Sequence, residues 1–532
     1  MIEPASSNKN LIQPTDRFWD ILVFVSLFLL SALYAGHITS GLDLGLYDET
    51  AYLQRGLAVF TNGLPSADMA PVYALWYWVL SFFTKDAITL YFFNYKVTMV
   101  LVPLMSFVLL RAMGTRRSAS VIAAICILIT TLNVQNWPRV SLLAMAVLLA
   151  AVLVGTRIQD RDRSFAASIL ITMIAVFVRP EFLLSVGVLF AIWLLPFIRR
   201  RTLPFKSQLI AISTALIGVI ILLAVFGDPL ANGRSMVAFG QHYALNRVDA
   251  SGSELDPWTN WEEIVAADFG NAHSFSEALV RAPGKVMWHM RMNLGQVAAN
   301  TTALLMPTGT RAGRFSFLLL IAFVVALLLL NKRVLRARLS ELARPILIAM
   351  ALSGPPLLSS LLINPRAHYL LFPIGLFVLL LVAVAYPRSQ GKASLLSSAV
   401  PLLLLAAAFC SIQVATKSIQ TPVLSTVDTI NALPWTSEIA VLEADGGYAV
   451  YLDRPTHRFI AQDKSIPFDA LLKERSINLI VASPRLMADH RYKDDPEWQR
   501  FLDGGYAQTF QKIPVIGTEN TLFVAEKDLL SR

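Results

Sequence analysis

The chain has 532 residues, of which 55% are hydrophobic and 15% are charged, and its mean hydropathy is +0.57. Soluble domains carry about 25% charged residues, so this composition indicates a membrane protein. The net charge of +9 lies largely in short loops between apolar segments and is not a sign of nucleic-acid binding. Cys126 and Cys410 both fall in apolar segments, which excludes a disulfide framework and a cysteine-based metal site.

Eleven apolar segments approach the roughly twenty residues that a helix needs to cross a bilayer core, although two of them are short. The first follows a polar N-terminus and has no small-residue cleavage site after it. We therefore interpret it as a retained anchor and not as a signal peptide. The segments are 18–38, 88–110, 118–133, 138–156, 164–179, 182–198, 208–227, 315–331, 345–363, 367–386 and 394–414.

Loop charges predict the orientation of these spans. With a cytoplasmic N-terminus, the short outside connections contain only three basic residues, Arg139, Arg179 and Arg366. The inside loops contain seventeen, as the positive-inside rule requires. They are Arg111, Arg116, Arg117, Arg157, Arg161, Arg163, Arg199, Arg200, Arg201, Lys206, Lys332, Arg333, Arg336, Arg338, Arg344, Arg388 and Lys392.

A twelfth apolar segment, residues 71–84, has about fourteen residues, a length that suits an interfacial or re-entrant helix. Counting it as a span would move the basic loops to the outside. We therefore predict that it lies on the outer face, with its tyrosines and tryptophans in the headgroup layer. Before it, Leu53, Leu57 and Phe60 recur at helical spacing and predict a short amphipathic helix over residues 49–60.

Three larger segments face outside in this topology: residues 39–87, residues 228–314 and a polar tail from about residue 415. The tail alternates β-like and helix-like runs, which predicts a small α/β domain. The β-like runs are 439–442, 477–482 and 521–524, and the helix-like runs are 468–475 and 496–502. The sequence thus predicts an α-helical polytopic membrane domain, residues 1–414, followed by an extracytoplasmic α/β domain, residues 415–532.

Two adjacent carboxylates, Asp48 and Glu49, lie in the first outer segment. Ionisable groups beside a bilayer are costly and are by default a functional hypothesis. They also fit a helix start, with Asp48 as the N-cap and Glu49 in the first turn. The two interpretations are compatible, because a carboxylate held at a helix start is also placed to accept a proton from a substrate hydroxyl.

The three outside arginines each lie at the end of a span. A single arginine there can simply extend its charged end to the interface. Three of them on the face that carries Asp48 and Glu49 favour a phosphate site, because guanidinium groups match phosphate oxygens.

The histidines of the 228–314 segment, His242, His273 and His289, could bind a divalent metal together with a carboxylate. No spacing among them resembles a metal motif, so we expect surface histidines. The sequence names no certain cofactor and leaves the need for a divalent metal open.

The run Tyr47-Asp48-Glu49-Thr50-Ala51-Tyr52 resembles the Asp-Glu signature of GT-C fold glycosyltransferases. It is most similar to the branch that holds protein O-mannosyltransferases and lipid A aminoarabinose transferases. Further matches in order and topology, over residues 18–386, are Gly63-Leu64-Pro65, the aromatic helix after Pro71, Arg179-Pro180-Glu181 and Arg366-Ala367-His368-Tyr369. The chain has one proline, Pro71, where relatives often have a pair, and Arg179 where many have lysine. Both departures leave the donor and the acceptor open.

The resemblance implies a GT-C type glycosyltransferase in the bacterial inner membrane, with a cytoplasmic N-terminus and a periplasmic tail. It further implies a polyprenyl-phosphate-linked sugar donor, a lipid, glycan or protein acceptor, and inversion at the anomeric carbon. Asp48 would be the general base, and Glu49 would assist it or help to hold a metal. The donor phosphate would bind Arg179, Arg366 and Arg139, and the other substrate contacts would be Tyr52, His368 and Tyr369.

Two other functions stay open at this point. A transporter or flippase for a lipid-linked glycan would also place charges along a substrate path. However, the sequence has no inverted repeat and no paired broken helices of the kind that many transporters use. A non-catalytic polysaccharide assembly subunit could be built on the same fold.

Overall fold

The computed structural model describes residues 14–134, 139–200, 206–230, 234–253, 255–258, 260–305, 332–388, 421–461 and 464–529. Helices dominate the part before residue 388. They are α1 (Pro14–Thr39), α2 (Asp48–Leu57), α3 (Val59–Asn62), α4 (Pro71–Leu80), α5 (Ala87–Ala112), α6 (Arg117–Ile129), α7 (Val140–Arg157), α8 (Arg161–Val176), α9 (Phe182–Arg200), α10 (Lys206–Phe226), α11 (Arg234–Ser251), α12 (Trp261–Phe269), α13 (Phe275–Arg281), α14 (Pro283–Leu305), α15 (Lys332–Glu341), α16 (Ala343–Leu362) and α17 (Ala367–Ala385).

Within the described residues, six helices are long and apolar enough to cross a membrane, so the chain is a multi-pass membrane protein. They are α1, α5, α7, α10, α16 and α17, and α6 and α9 contain shorter apolar helices. Nine of the eleven predicted spans coincide with described helices, α8 included. The other two, 315–331 and 394–414, lie outside the described residues.

The predicted inside loops meet at one end of the helix bundle. Arg111 and Arg117 share the carboxylate of Asp20, with nitrogen–oxygen distances of 3.0 and 2.7 Å. At the same end, the Arg338 guanidinium donates to the backbone carbonyls of Met113 and Ala383. These contacts confirm that the basic loops lie together at one end, as the alternation of spans predicts.

The predicted outer segments meet at the opposite end. The backbone N–H of Val72, in α4, donates to the carbonyl of Phe177, which follows α8. Tyr91, in the first turns of α5, donates to the carbonyl of Asp43, which follows α1. The chain therefore leaves and re-enters the bundle at the same end, and α4 does not cross it.

One expectation about α4 is wrong. Tyr73 and Tyr77 do not face the headgroup layer, because both are fully buried against α2 and α5. The exposed apolar side chains at this edge are instead Phe60, Phe82 and Phe83. The predicted amphipathic helix over residues 49–60 is confirmed in part. Helix α2 buries Leu53, but it ends at Leu57, which is exposed, and Phe60 lies in the separate helix α3.

The 228–314 segment is helical where it is described. Helices α11 to α14 pack around a small apolar core of their own. Its buried members are Met236, Phe239, Tyr243, Val265, Phe269, Ala278 and Val286. This cluster lies beside the outer ends of α16 and α17, which α14 contacts directly.

The tail contains a five-stranded mixed sheet, β1 (Ile439–Glu443), β2 (Thr456–Ile460), β3 (Leu479–Ala482), β4 (Phe510–Pro514) and β5 (Thr521–Ala525), in the order β2-β1-β3-β5-β4. The first two pairings are parallel, and β5 is antiparallel to both β3 and β4. The helices are α18 (Pro422–Asn431), α19 (Phe468–Glu474), α20 (Pro484–Ala488), α21 (His490–Lys493) and α22 (Pro496–Leu502). The predicted boundary at residue 415 lies outside the described residues.

The orientation of the bundle in the membrane gives a direct prediction. In a background without Cys126 and Cys410, single cysteines at Ser66, Ser253 and Glu519 should react with a membrane-impermeant maleimide in intact spheroplasts. Cysteines at Ser118 and Ser340 should react only after lysis, which makes them the matched controls. Labelling of the second set in intact cells would reverse the predicted orientation.

Candidate active site

A cavity of about 300 Å³ opens at the outer end of the bundle. Its wall combines α2, the turn before α4, the ends of α8 and α16, the start of α17 and part of the 228–314 segment. The lining residues are Asp48, Tyr52, Asp68, Ala70, Val140, Val178, Arg179, Pro180, Glu181, Pro229, Leu230, Ala238, Ser359, Ile363, Arg366, His368 and Tyr369. A second cavity, of about 570 Å³, shares Asp48, Tyr52 and Asp68 with the first.

Asp48 borders both cavities with an exposed side chain. It is the first residue of α2, and the N-cap position before it belongs to Tyr47, so the prediction of Asp48 as N-cap is wrong by one residue. A carboxylate in the first turn is still favoured by the partial positive charge of the helix start. No side chain caps this helix start.

The residue before Asp48 has a strained backbone. Tyr47 has φ 61° and ψ −119°, a conformation that non-glycine residues rarely adopt. Such a conformation costs roughly 1–3 kcal/mol and persists only where the surrounding structure enforces it. The strained residue lies directly beside the exposed carboxylate of Asp48.

Glu49 points away from the cavities into a buried polar network. Its Oε1 accepts hydrogen bonds of 2.6 Å from the hydroxyls of both Tyr73 and Tyr77. Asn94 of α5 donates to both tyrosine oxygens and accepts from the indole of Trp76. Glu49 therefore anchors α2 to α4 and α5.

Complete burial raises the pKa of Glu49 above its ordinary value. The nearby Arg139 and the two tyrosine hydroxyls oppose that rise.

Arg139 lies behind the site and is not a lining residue. It is 1% exposed, and its guanidinium carbon lies 4.6 Å from the ring centre of Tyr91 and 4.2 Å from that of Tyr95. Burial between two ring faces, together with a carboxylate nearby, makes Arg139 a counter-charge for Glu49.

Arg179 lines the cavity and is held by three neighbours. Nε donates to Glu181 over 2.5 Å, and Nη1 donates to the Ser141 hydroxyl over 2.7 Å. The guanidinium carbon lies 4.6 Å above the ring of Tyr369. Nη2 makes no hydrogen bond to any described residue, so an oriented donor stays available to a ligand.

Arg366 also lines the cavity, at the N-cap of α17. Its guanidinium lies 5.2 Å from the ring centre of Trp258 and makes no salt bridge to any described residue. The turn before it is fixed by α14, because Asn293 and His289 donate to the carbonyl of Ile363 and Asn300 donates to that of Pro365.

The structure thus brings together most of the residues singled out in the sequence. Asp48, Tyr52, Arg179, Arg366, His368 and Tyr369 share one cavity, whereas Glu49 and Arg139 lie behind it. Sequence reasoning missed Asp68 and gave no role to Glu181. The spacing of Tyr73 and Tyr77, which puts them on one helical face, was a signal for the buried partner of Glu49.

The expectation of surface histidines holds for His273 and is wrong for His242 and His289. His289 is fully buried, accepts from Asn246 at Nδ1 and faces the carbonyls of Leu362 and Ile363 with Nε2. Burial lowers the pKa of both His242 and His289 to about 4. Both rings are therefore neutral at physiological pH.

This burial predicts acid sensitivity of the turn that holds Arg366. An unfolded histidine binds a proton below about pH 6.5, whereas His289 stays neutral in the fold down to about pH 4. Stability is therefore full above pH 6.5 and falls as the pH drops towards 4, by on the order of 3 kcal/mol for this residue. Thermal unfolding of His289→Gln should depend less on pH in that window than unfolding of wild type. His273→Gln, at an exposed position, should keep the wild-type slope.

Among the described residues, no three His, Cys, Asp or Glu side chains are grouped so as to hold a metal ion. Of the cavity carboxylates, Glu181 is paired with Arg179.

Comparison with known proteins adds a likeness to solved structures. No protein-family model and no curated protein sequence matches the chain. Among solved structures, the chain is similar to the crystal structure of ArnT from Cupriavidus metallidurans in the apo state. The sequences are 13% identical, the TM-score is 0.44, and the alignment covers 97% of this chain and 100% of that one.

Proposed function

We propose that the protein is a membrane glycosyltransferase that moves a sugar from a polyprenyl-phosphate donor to an acceptor hydroxyl on the outer face of the membrane. One observation carries the proposal. Asp48 lies in a single cavity with Arg179 and Arg366, and both guanidinium groups keep hydrogen-bond donors available. A carboxylate facing two cations matches a reaction that removes a proton at one end and releases a phosphate at the other.

The reaction follows from these charges. The acceptor oxygen forms a bond to the anomeric carbon while the bond from that carbon to the donor phosphate breaks. Asp48 takes the proton of the acceptor hydroxyl as general base. The leaving polyprenyl phosphate gains negative charge, which Arg179 and Arg366 stabilise more strongly in the transition state than in the bound donor. Attack from the face opposite the phosphate inverts the anomeric carbon.

The remaining residues support this arrangement. Tyr52, His368 and Tyr369 line the same cavity and would contact the sugar or the phosphate. Glu49 would assist by anchoring α2, and Arg139 would assist by balancing the buried charge of Glu49. The second cavity, which also borders Asp48, gives the acceptor its own route to the base.

The orientation in the membrane follows from the loop charges, and the resemblance to GT-C fold glycosyltransferases implies the bacterial inner membrane. We place the protein in the bacterial inner membrane, with the N-terminus in the cytoplasm and the cavity and the tail domain on the periplasmic side. The membrane domain would occupy residues 1–414 and the α/β domain residues 415–532.

The decisive experiment measures chemistry without a membrane to cross. Purified protein in detergent is incubated with a panel of polyprenyl-phosphate sugars and candidate lipid, glycan and protein acceptors, and free polyprenyl phosphate is followed. The transferase releases it in the presence of donor and acceptor. A flippase or an assembly subunit releases none with any donor, and that result would favour one of those two alternatives.

A further inference from the structure

The tail domain contacts the turn that carries Asp48 through the loop between β1 and β2 and through α20. The backbone N–H of Tyr47 donates to the carbonyl of Gly446 over 2.8 Å, and the Thr50 hydroxyl approaches the same carbonyl at 3.2 Å. The Tyr47 hydroxyl donates to Asp445 over 2.9 Å, and the Arg485 guanidinium lies 4.9 Å from the centre of the Tyr47 ring. The tail therefore contacts both the main chain and the side chain of Tyr47, the residue that precedes Asp48.

Two further contacts fix the chain upstream of this turn. The hydroxyl of Tyr451 donates to the carbonyl of Gly45 over 2.6 Å. The carboxylate of Asp43 accepts from the backbone N–H groups of Val423 and Leu424, at 2.9 and 2.8 Å, in the first turn of α18. The segment from Asp43 to Thr50 is thus held by the tail domain along its whole length.

The tail also approaches α2 more closely than a side chain would allow. A methyl group added at Gly447 would lie 2.4 Å from Oγ1 of Thr50 and 2.9 Å from its Cβ. The second of these atoms is close to the backbone and cannot move away alone. Gly447 has φ 146° as well, so this contact depends on glycine in both space and backbone conformation.

These contacts explain the conformation of Tyr47. The carbonyl of Gly446, in the tail, accepts from both the backbone N–H of Tyr47 and the hydroxyl of Thr50, and these contacts enforce the positive φ of Tyr47. Without that carbonyl the turn is free to relax to an ordinary conformation, and the first turn of α2 would rotate with it. No side chain caps this helix start, so Asp48 would then lose its direction towards the cavity.

We propose that the tail domain positions the catalytic base, and that the Asp445–Gly447 loop, through Tyr47 and Thr50, sets the orientation of Asp48. The proposal rests on the proposed function of Asp48. Tyr47, Asp445 and Gly447 are positioning residues, because none of them lines the cavity. A displacement of the base by about 1 Å can cost on the order of 100-fold in rate.

The test compares two glycine substitutions in the full-length protein. Gly447→Ala pushes the tail away from Thr50. Gly504→Ala is the matched control, because Gly504 also has a positive φ, 116°, but a methyl group there meets no atom within 4 Å. Two readouts are taken: kcat and KM for donor in the polyprenyl phosphate release assay, and hydrogen–deuterium exchange of peptides that cover residues 43–51.

Gly447→Ala should lower kcat by about 10- to 100-fold with little change in donor KM, and it should speed exchange of residues 43–51. Gly504→Ala should change neither. Wild-type kcat in Gly447→Ala, or an equal loss of kcat in both variants, would overturn the proposal.

Milder variants decide the matter if Gly447→Ala does not fold. Asp445→Ala and Tyr47→Phe each remove the hydrogen bond between these two side chains and should speed exchange of residues 43–51 and lower kcat together, while exposed Asp503→Ala should not. Unchanged exchange in both would overturn the proposal. If wild type releases no polyprenyl phosphate with any donor, the proposed function fails, whereas the exchange data still decide whether the tail holds the turn.

Discussion

Asp48→Asn should abolish turnover while the protein inserts and folds normally. Asparagine keeps the shape and the hydrogen-bonding capacity of aspartate, but its amide cannot accept the proton of the acceptor hydroxyl. Loss of a general base typically lowers the rate by about 10²- to 10⁴-fold. The side chain is exposed at the mouth of two cavities, so its replacement should leave the thermal unfolding midpoint nearly unchanged.

The matched control is Asp86→Asn. Asp86 lies on the same outer face, is exposed, and accepts from the backbone N–H of Thr89 as the N-cap of α5, a task that asparagine also performs. It lines neither cavity that borders Asp48. We expect wild-type release of polyprenyl phosphate from this variant. A well-folded Asp48→Asn protein with near-normal turnover would remove Asp48 from the role of base.

The spans and the face that carries the site could be predicted from sequence, because both depend on local patterns. A helix needs about twenty apolar residues to cross a bilayer, and such a run can be recognised in the sequence without knowledge of tertiary contacts. The alternation of basic and non-basic loops then placed Arg179 and Arg366 at the same end as Asp48, where the structure has them.

The roles of the buried charges could not be predicted, because they depend on contacts between distant elements. Glu49 is adjacent to Asp48 in the sequence, but the rotation of about 100° between consecutive helical residues turns it from the exposed direction of Asp48 towards Tyr73, Tyr77 and Asn94. Arg139 is likewise hidden by two aromatic rings of α5. Hydropathy predicts where a helix ends, but it does not predict whether a charged side chain there faces solvent or is buried against another helix.

The tail shows the same division between local and distant information. Strands β1, β3 and β5 form the centre of the sheet, are almost wholly buried, and were visible as apolar runs. Strands β2 and β4 were missed, because both lie at sheet edges where polar residues such as His457 and Lys512 are tolerated. The contact between the tail and Tyr47 left no trace in sequence beyond a pair of glycines, Gly446 and Gly447.

Arg179→Ala and Arg366→Ala should each lower kcat/KM for the lipid-phosphate donor by about 10²- to 10³-fold, the usual effect of removing one donor that stabilises transition-state charge. At either position, replacement by lysine should lower kcat/KM less than replacement by alanine. Lysine preserves the charge but not the planar fork that binds two phosphate oxygens. The loss of kcat/KM on replacing arginine with lysine should be larger at position 179, because the guanidinium there is oriented by Glu181, Ser141 and Tyr369.

The control is Arg281→Ala, on the same outer face, where the guanidinium is exposed and paired only with Glu277 one helical turn away. It should release polyprenyl phosphate at the wild-type rate, since a surface ion pair contributes at most about 1 kcal/mol to stability and nothing to the site.

A purely interfacial role for the arginines predicts the opposite pattern, a modest loss of thermal stability with ordinary turnover. Equal release by wild type, Arg179→Ala and Arg366→Ala would exclude both from the phosphate site. A loss confined to one variant would assign the phosphate to that arginine alone. Arg366 is then the informative case, because within the described residues its charge has an aromatic neighbour, Trp258, but no carboxylate partner. A cation without a carboxylate partner in a cavity is the group whose removal should affect an anionic ligand most and the fold least.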